Sequence, residues 1–223
     1  MPGRAGRWIY TLLWKDFLLD YRNPLSASTQ LIFSLGSGVL VGLVYRSSVW
    51  PAGSLIPAAL PIVLVFQAVF ASYNSFLREA ESRTIDGLRL LPVGPEVVFA
   101  SKLIYSIINI FAFTILFLLS LLFFAWPINV ALAPLTAWVL LSSLYMGGVS
   151  SLSSAMMIYS RARGTLAPVL VLLLSLPFFQ SSAVHVGVIS QGYMPRPGWP
   201  IPLTILSLGF ILVSLILARY VLE

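Results

Sequence analysis

Two lysines, seven carboxylates and one histidine are the side chains here that could move a proton or hold a metal near neutrality, and their spacing favours neither task. His185 stands alone, with no second ligand type close by, and reads as an interfacial polar residue. A His-Glu-x-x-His zinc helix is missing, as is an intramembrane acid pair for aspartyl chemistry. Lys15 precedes Asp16 and Lys102 precedes Leu103, so neither lysine ends a Gly-x4-Gly-Lys-Ser/Thr phosphate loop. With no cysteine in the chain, thiolate nucleophiles, disulfides and Cys-based metal sites are excluded. The chain is not expected to be an enzyme or to bind a cofactor directly. If nucleotide energy is used, another chain must hydrolyse it.

What remains is a dense island of charge, Leu77-Arg-Glu-Ala-Glu-Ser-Arg-Thr-Ile-Asp-Gly-Leu-Arg-Leu-Leu-Pro-Val93. It holds three of the seven acids and three of the thirteen bases of a chain that is only 9% charged. Thr84 suits a helix N-cap, Asp86 the first turn, and Pro92 a stop. Ile85 and Leu88 would share one face of such a helix. The island reads either as a short docking helix with charged shoulders or as a solvated loop.

The elements around the island are read from hydrophobicity. Apolar residues make up 59% of the chain, above the roughly 45–50% of soluble domains, and mean hydropathy is +0.96. Six runs approach or exceed the ~20 residues that cross a hydrocarbon core, at about 28–45, 56–76, 97–125, 130–159, 166–188 and 201–221. The expected fold is therefore an all-α integral membrane protein forming a single transmembrane domain over 1–223. Before the first span, Tyr10, Leu13, Trp14, Phe17, Leu18 and Tyr21 line one face of a helix at 8–22, with Lys15, Asp16 and Asp20 off that face. This reads as a helix lying in the membrane interface, or as a soluble amphipathic helix packed on a partner. The basic start is not followed by a short apolar run with a cleavage site, so no cleaved signal peptide is expected.

Placing the N-terminus in the cytoplasm puts Arg4, Arg7, Lys15, Arg22, Arg78, Arg83, Arg89, Lys102, Arg161, Arg163 and Arg219 on or near that side. Only Arg46 and Arg196 fall outside, and eleven against two is a positive-inside bias. Both termini and the charged loop at 77–96 are then cytoplasmic, in a cell membrane. The basic residues sit in short loops, so the net charge of +6 suits a lipid bilayer and not nucleic acid. Lys102 is close enough to the cytoplasmic end to snorkel. Gln67, Asn74, Asn109 and Gln180 read as helix–helix hydrogen-bonding residues. Ser34, Gly38 and Gly42 form a small-residue ridge that could be the seam of a dimer. Gly147, Ser151 and Ala155 form another.

Asn74-Ser-Phe-Leu-Arg-Glu-Ala-Glu-Ser-Arg-Thr-Ile-Asp-Gly-Leu-Arg-Leu-Leu-Pro-Val93 resembles the cytoplasmic signature of the ABC-2-type permeases. It looks most like that of the CcmB family, haem exporter protein B of cytochrome c maturation. The matching residues are Ser75-Phe76, Arg78-Glu79-x-Glu81, Thr84, Gly87-Leu88 and Pro92-Val93, with Ile85 and Asp86 as conservative replacements. Arg83 departs from the family's glycine. The Lys15-Asp16 pair in the first helix, the six spans and the Arg161-x-Arg163 loop agree with the same layout.

The resemblance implies a coupling helix received by a separate cytosolic ABC ATPase subunit. Arg78, Glu79, Glu81, Arg83, Thr84, Ile85, Asp86 and Leu88 would make the contact. ATP would act through that partner. A second permease copy or related membrane subunit, and other cytochrome c-maturation membrane subunits, would complete the complex. Haem is the candidate cargo, or the complex releases a haem-loaded chaperone. An ABC-2 exporter of a drug, lipid or polysaccharide, and a membrane scaffold for a cytosolic protein, are the alternatives.

Overall fold

The computed structural model describes all residues except 1, 23, 48–51, 83, 86, 88–91, 129, 194 and 223. Its described elements are helical: α1 (Pro2–Arg22), α2 (Pro24–Arg46), α3 (Ala52–Ser72), a π turn (Tyr73–Leu77), α4 (Arg78–Glu81), α5 (Pro95–Phe124), α6 (Leu132–Met156), α7 (Arg163–Ile189) and α8 (Pro200–Leu222). Pro95 opens α5 at its first turn, where a missing N–H costs no intrahelical bond.

Among the described residues, five stretches are long and apolar enough to cross a bilayer: Pro24–Arg46, Ser54–Glu81, Pro95–Phe124, Leu132–Met156 and Pro200–Leu217. The remaining long apolar run is α7, 27 residues or ~40 Å at 1.5 Å per residue. Successive long helices run in opposite directions. The starts of α2, α5 and α7 therefore lie at the bundle end that carries α4, and the turns at 125–131 and 190–199 lie at the other. At that far end Ala131 N donates to Ile189 O at 3.2 Å.

The main core lies between α3, α5, α6 and α7, around Leu60, Leu64, Phe117, Trp138, Tyr145 and Phe178. Tyr145 stacks on Phe178 at 5.8 Å and donates its hydroxyl to Leu174 O at 2.6 Å. Around this core the bundle presents Leu31, Ile32, Leu173, Ile205 and Leu212 outward, as lipid requires and water does not.

The small-residue ridge on α2 turns inward. Ser34, Gly38 and Gly42 are buried, and a Cβ added at Gly38 would lie 2.7 Å from both Phe117 O and Ser120 Cβ of α5. One at Gly42 would lie 2.8 Å from Phe124 Cβ. The seam expected for a second copy is thus filled within the chain, because close backbone approach is used for α2–α5 packing. On α6, Gly147 sits against Ile107 of α5 in the same way.

Polar groups inside the bundle pair between helices. Gln30 Nε2 donates to Asn109 Oδ1 at 3.0 Å, with the reciprocal Asn109 Nδ2 to Gln30 Oε1 bond at 3.3 Å. Gln67 Nε2 donates to Ser34 Oγ at 2.7 Å, and Ser26 Oγ to Asn74 Oδ1 at 2.7 Å. The side chain of Gln180 lies outside the described residues.

Candidate functional site: a buried ionic clamp beneath the charged island

The island begins where α3 loses its regular hydrogen bonding. A π turn holds one residue more per turn than an α-helix and leaves backbone donors without their usual partners. At Ser75 the backbone departs from helical geometry (φ −78°, ψ −115°). The amides of Phe76 and Leu77 donate instead to Ser154 Oγ of α6, at 2.9 and 3.1 Å. This ties the entrance of the island to a helix remote in sequence.

Immediately beyond the turn, α4 carries Arg78 and Glu79 inward. Glu79 Oε1 accepts from Lys102 Nζ at 2.8 Å and from Lys15 Nζ at 2.5 Å. Lys102 also donates to Asp16 Oδ1 at 2.9 Å. Arg78 Nη1 donates to Asp20 Oδ1 at 2.6 Å, and the Tyr105 hydroxyl donates to Asp20 Oδ2. Three acids (Asp16, Asp20, Glu79) and three bases (Lys15, Arg78, Lys102) thus form a cluster of zero formal charge. It joins α1, α4 and α5. Asp16, Lys102 and Glu79 are 0%, 1% and 3% exposed. Charges so placed persist only when paired and hydrogen-bonded.

Several expectations change here. Lys102 does not snorkel; its ammonium is consumed by two carboxylates within the protein. Arg78 and Glu79 point into the clamp, so their charge is engaged inside the chain. α1 also turns its charged face inward and its apolar stripe outward, with Tyr10, Trp14 and Tyr21 exposed and Asp16 buried.

Beside the clamp lies an apolar plate of Leu12, Phe76, Val98, Phe99, Leu103, Ala155 and Ile158, on which Ile85 and Val93 of the island rest. Phe76 stacks on Phe99 at 6.1 Å. Ile85, expected to face a partner, is half-buried there. Thr84 was expected to cap the next helix, yet its hydroxyl donates back to Glu79 O at 3.3 Å. Glu81 is exposed and accepts from the Tyr73 hydroxyl at 2.6 Å. Gly87 is exposed too. Arg83, Asp86 and Leu88 lie outside the described residues.

The spacing of charges in the sequence flagged the island but not the clamp. Its hydrogen-bonded partners lie 23 to 86 residues apart. The one available signal was Lys102, a charge near the start of an apolar run with no opposite charge beside it in sequence.

Bilayer-length helices holding one charged segment clamped at a single end define a multi-pass membrane protein. The ABC-2 type transporter family profile matches residues 8–181, from α1 through most of α7. The chain belongs to the ABC-2 type transporter family. It is a membrane permease subunit of an ABC transporter, a class that works with a partner ATPase subunit. No curated protein matches the chain.

Proposed function

We propose that this permease is of the haem-export, cytochrome c-maturation type, lies in the cell membrane with both termini cytoplasmic, and receives its ATPase on the island. The observation that carries the coupling role is the division of the island into two faces. Glu81, Thr84 and Gly87 are exposed, while Arg78 and Glu79 of the same segment are locked to α1 and α5. Force applied to the exposed face by an ATPase would pass through short ion pairs into two helices, because a packed interior transmits displacement with little give. Arg83, Asp86 and Leu88 belong to the same contact segment. The haem branch is supported by the island pattern Arg78-Glu79-x-Glu81 with Gly87-Leu88 and Pro92-Val93.

A second reading has an observation of its own. A cavity of about 420 Å³ between α2, α3 and α7 is lined by apolar side chains together with Ser26, Thr29, Ser72 and Tyr73. An amphiphilic molecule would suit it, as in an exporter of a lipid or drug.

Purification of the intact complex, with identification of its subunits and of bound haem, separates these readings. Recovery of an ATPase together with cytochrome c-maturation subunits or haem is the expected result. An ATPase accompanied by bound lipid and no such subunits supports the second reading, and recovery without any ATPase overturns the coupling role. Glu81→Lys, which leaves the clamp untouched, should weaken ATPase retention severalfold.

A further inference from the structure

One face of α1 is left largely exposed by the fold, with Phe17 alone of its aromatic rings resting on α5, against Tyr105 at 5.4 Å. Arg7, Tyr10, Trp14, Phe17 and Tyr21 recur at steps of three and four and therefore share a face. Tyr10, Trp14 and Tyr21 are 68%, 61% and 86% exposed. The opposite face is spent on Leu12, Asp16 and Asp20, so the stripe cannot turn inward without breaking the clamp. The covalent chain then fixes its depth. α1 ends at Arg22 and α2 begins at Pro24, and the two residue steps between them span at most ~7 Å. The end of α1 must therefore lie where α2 enters the bilayer, the level that tryptophan and tyrosine prefer. Arg7 lies on the stripe and Arg22 at its end; both are exposed, and neither belongs to the clamp.

We propose that α1 is a binding surface for anionic phospholipid headgroups. Its aromatic stripe is inserted at the boundary between headgroups and acyl chains, and Arg7 and Arg22 pair with lipid phosphates. Through Asp16, Asp20 and Lys15 the bound leaflet holds the island in position. Anionic lipid is the occupant that fits, because the stripe is aromatic, its flanking charges are both cationic, and its carboxylates are turned away. A protein seated on the same face would have to fit between α1 and the bilayer that α2 enters one residue later.

The cysteine-free sequence permits a direct test on the full chain. A nitroxide is placed by Tyr10→Cys, or on the island by Thr84→Cys. The protein is reconstituted in phosphatidylcholine alone or with about one-third phosphatidylglycerol, a leaflet charge sufficient for basic segments to sense. The Tyr10 label should be accessible to oxygen and shielded from a water-soluble nickel complex, and more so with the anionic lipid. Arg7→Gln with Arg22→Gln should abolish that lipid dependence, worth roughly fivefold in lipid preference per arginine. The Thr84 label should be less mobile in the anionic bilayer in the parent and indifferent to lipid in the double variant.

Nickel accessibility at Tyr10 equal to that at Thr84 would overturn the proposal. So would protection of Tyr10 from both reagents, the mark of a covering protein, or the same result in both lipids. The inference rests on membrane embedding alone, so it can stand when the identity of the ATPase or cargo given above does not.

Discussion

Lys102 is the residue on which the clamp turns, because it touches both Asp16 and Glu79 from a position 1% exposed, whereas Lys15 reaches the same two acids from the rim. Removing one member of a buried pair leaves an uncompensated charge and costs about 3–5 kcal/mol. Lys102→Met should therefore lower stability by about that much and release α4, read as a drop in thermal midpoint of the purified protein. Lys15 also bonds Glu79, but its side chain is 39% exposed, and water will compensate its loss. Lys15→Met should cost about 1 kcal/mol or less. Glu79→Gln added to Lys102→Met should recover part of the loss, since it removes one of the two stranded carboxylates. An unchanged midpoint for Lys102→Met would show that the clamp carries no strain-bearing role. The sequence could not rank these two lysines, because their difference lies in burial by residues far along the chain.

Among the elements, α2 shows how spacing and partner separate. The Ser34-x3-Gly38-x3-Gly42 ridge announces a close helix contact, and the contact exists, but its partner is α5 of the same chain. Periodicity identifies a face and is silent about what meets it. α1 repeats the lesson: its stripe was legible as a face at 8–22, whereas its outward direction follows only from the pairing of Asp16 and Asp20. The long helices themselves were legible because bilayer thickness sets a length that few soluble sequences imitate. The π turn at Tyr73–Leu77 was not, since its stabilising hydroxyl, Ser154, lies about 80 residues downstream. The α2–α5 contact makes a sharp prediction. Gly38→Ala pushes a methyl against a backbone carbonyl and should cost about 1–3 kcal/mol. Gly36→Ala, with nothing within 4 Å of the new carbon, should be neutral or mildly stabilising. Equal thermal midpoints for the two variants would contradict the packing described.

For the whole molecule, the family, the all-helical membrane fold and the island at one end agree with one another. The clamp adds a statement about time. α1 leaves the ribosome before α5, and Asp16 has to wait for Lys102, made 86 residues later. Until then Asp16 has only the half-exposed Lys15 beside it, at 3.5 Å. Once α5 arrives, both lysine and acid become neutral as a pair, and a lysine at the start of a membrane helix can be drawn inside without carrying net charge with it. Assembly of the first helix is thus completed by a helix inserted after two others. Arrested nascent chains ending shortly after α3 should leave α1 open to protease, and chains extended beyond α5 should protect it. Protection already present in the shorter chains would place the ordering elsewhere. Protection gained only beyond α5 would make the clamp that holds the mature island a checkpoint during synthesis as well, passed only by a chain whose α5 has entered the bilayer in register.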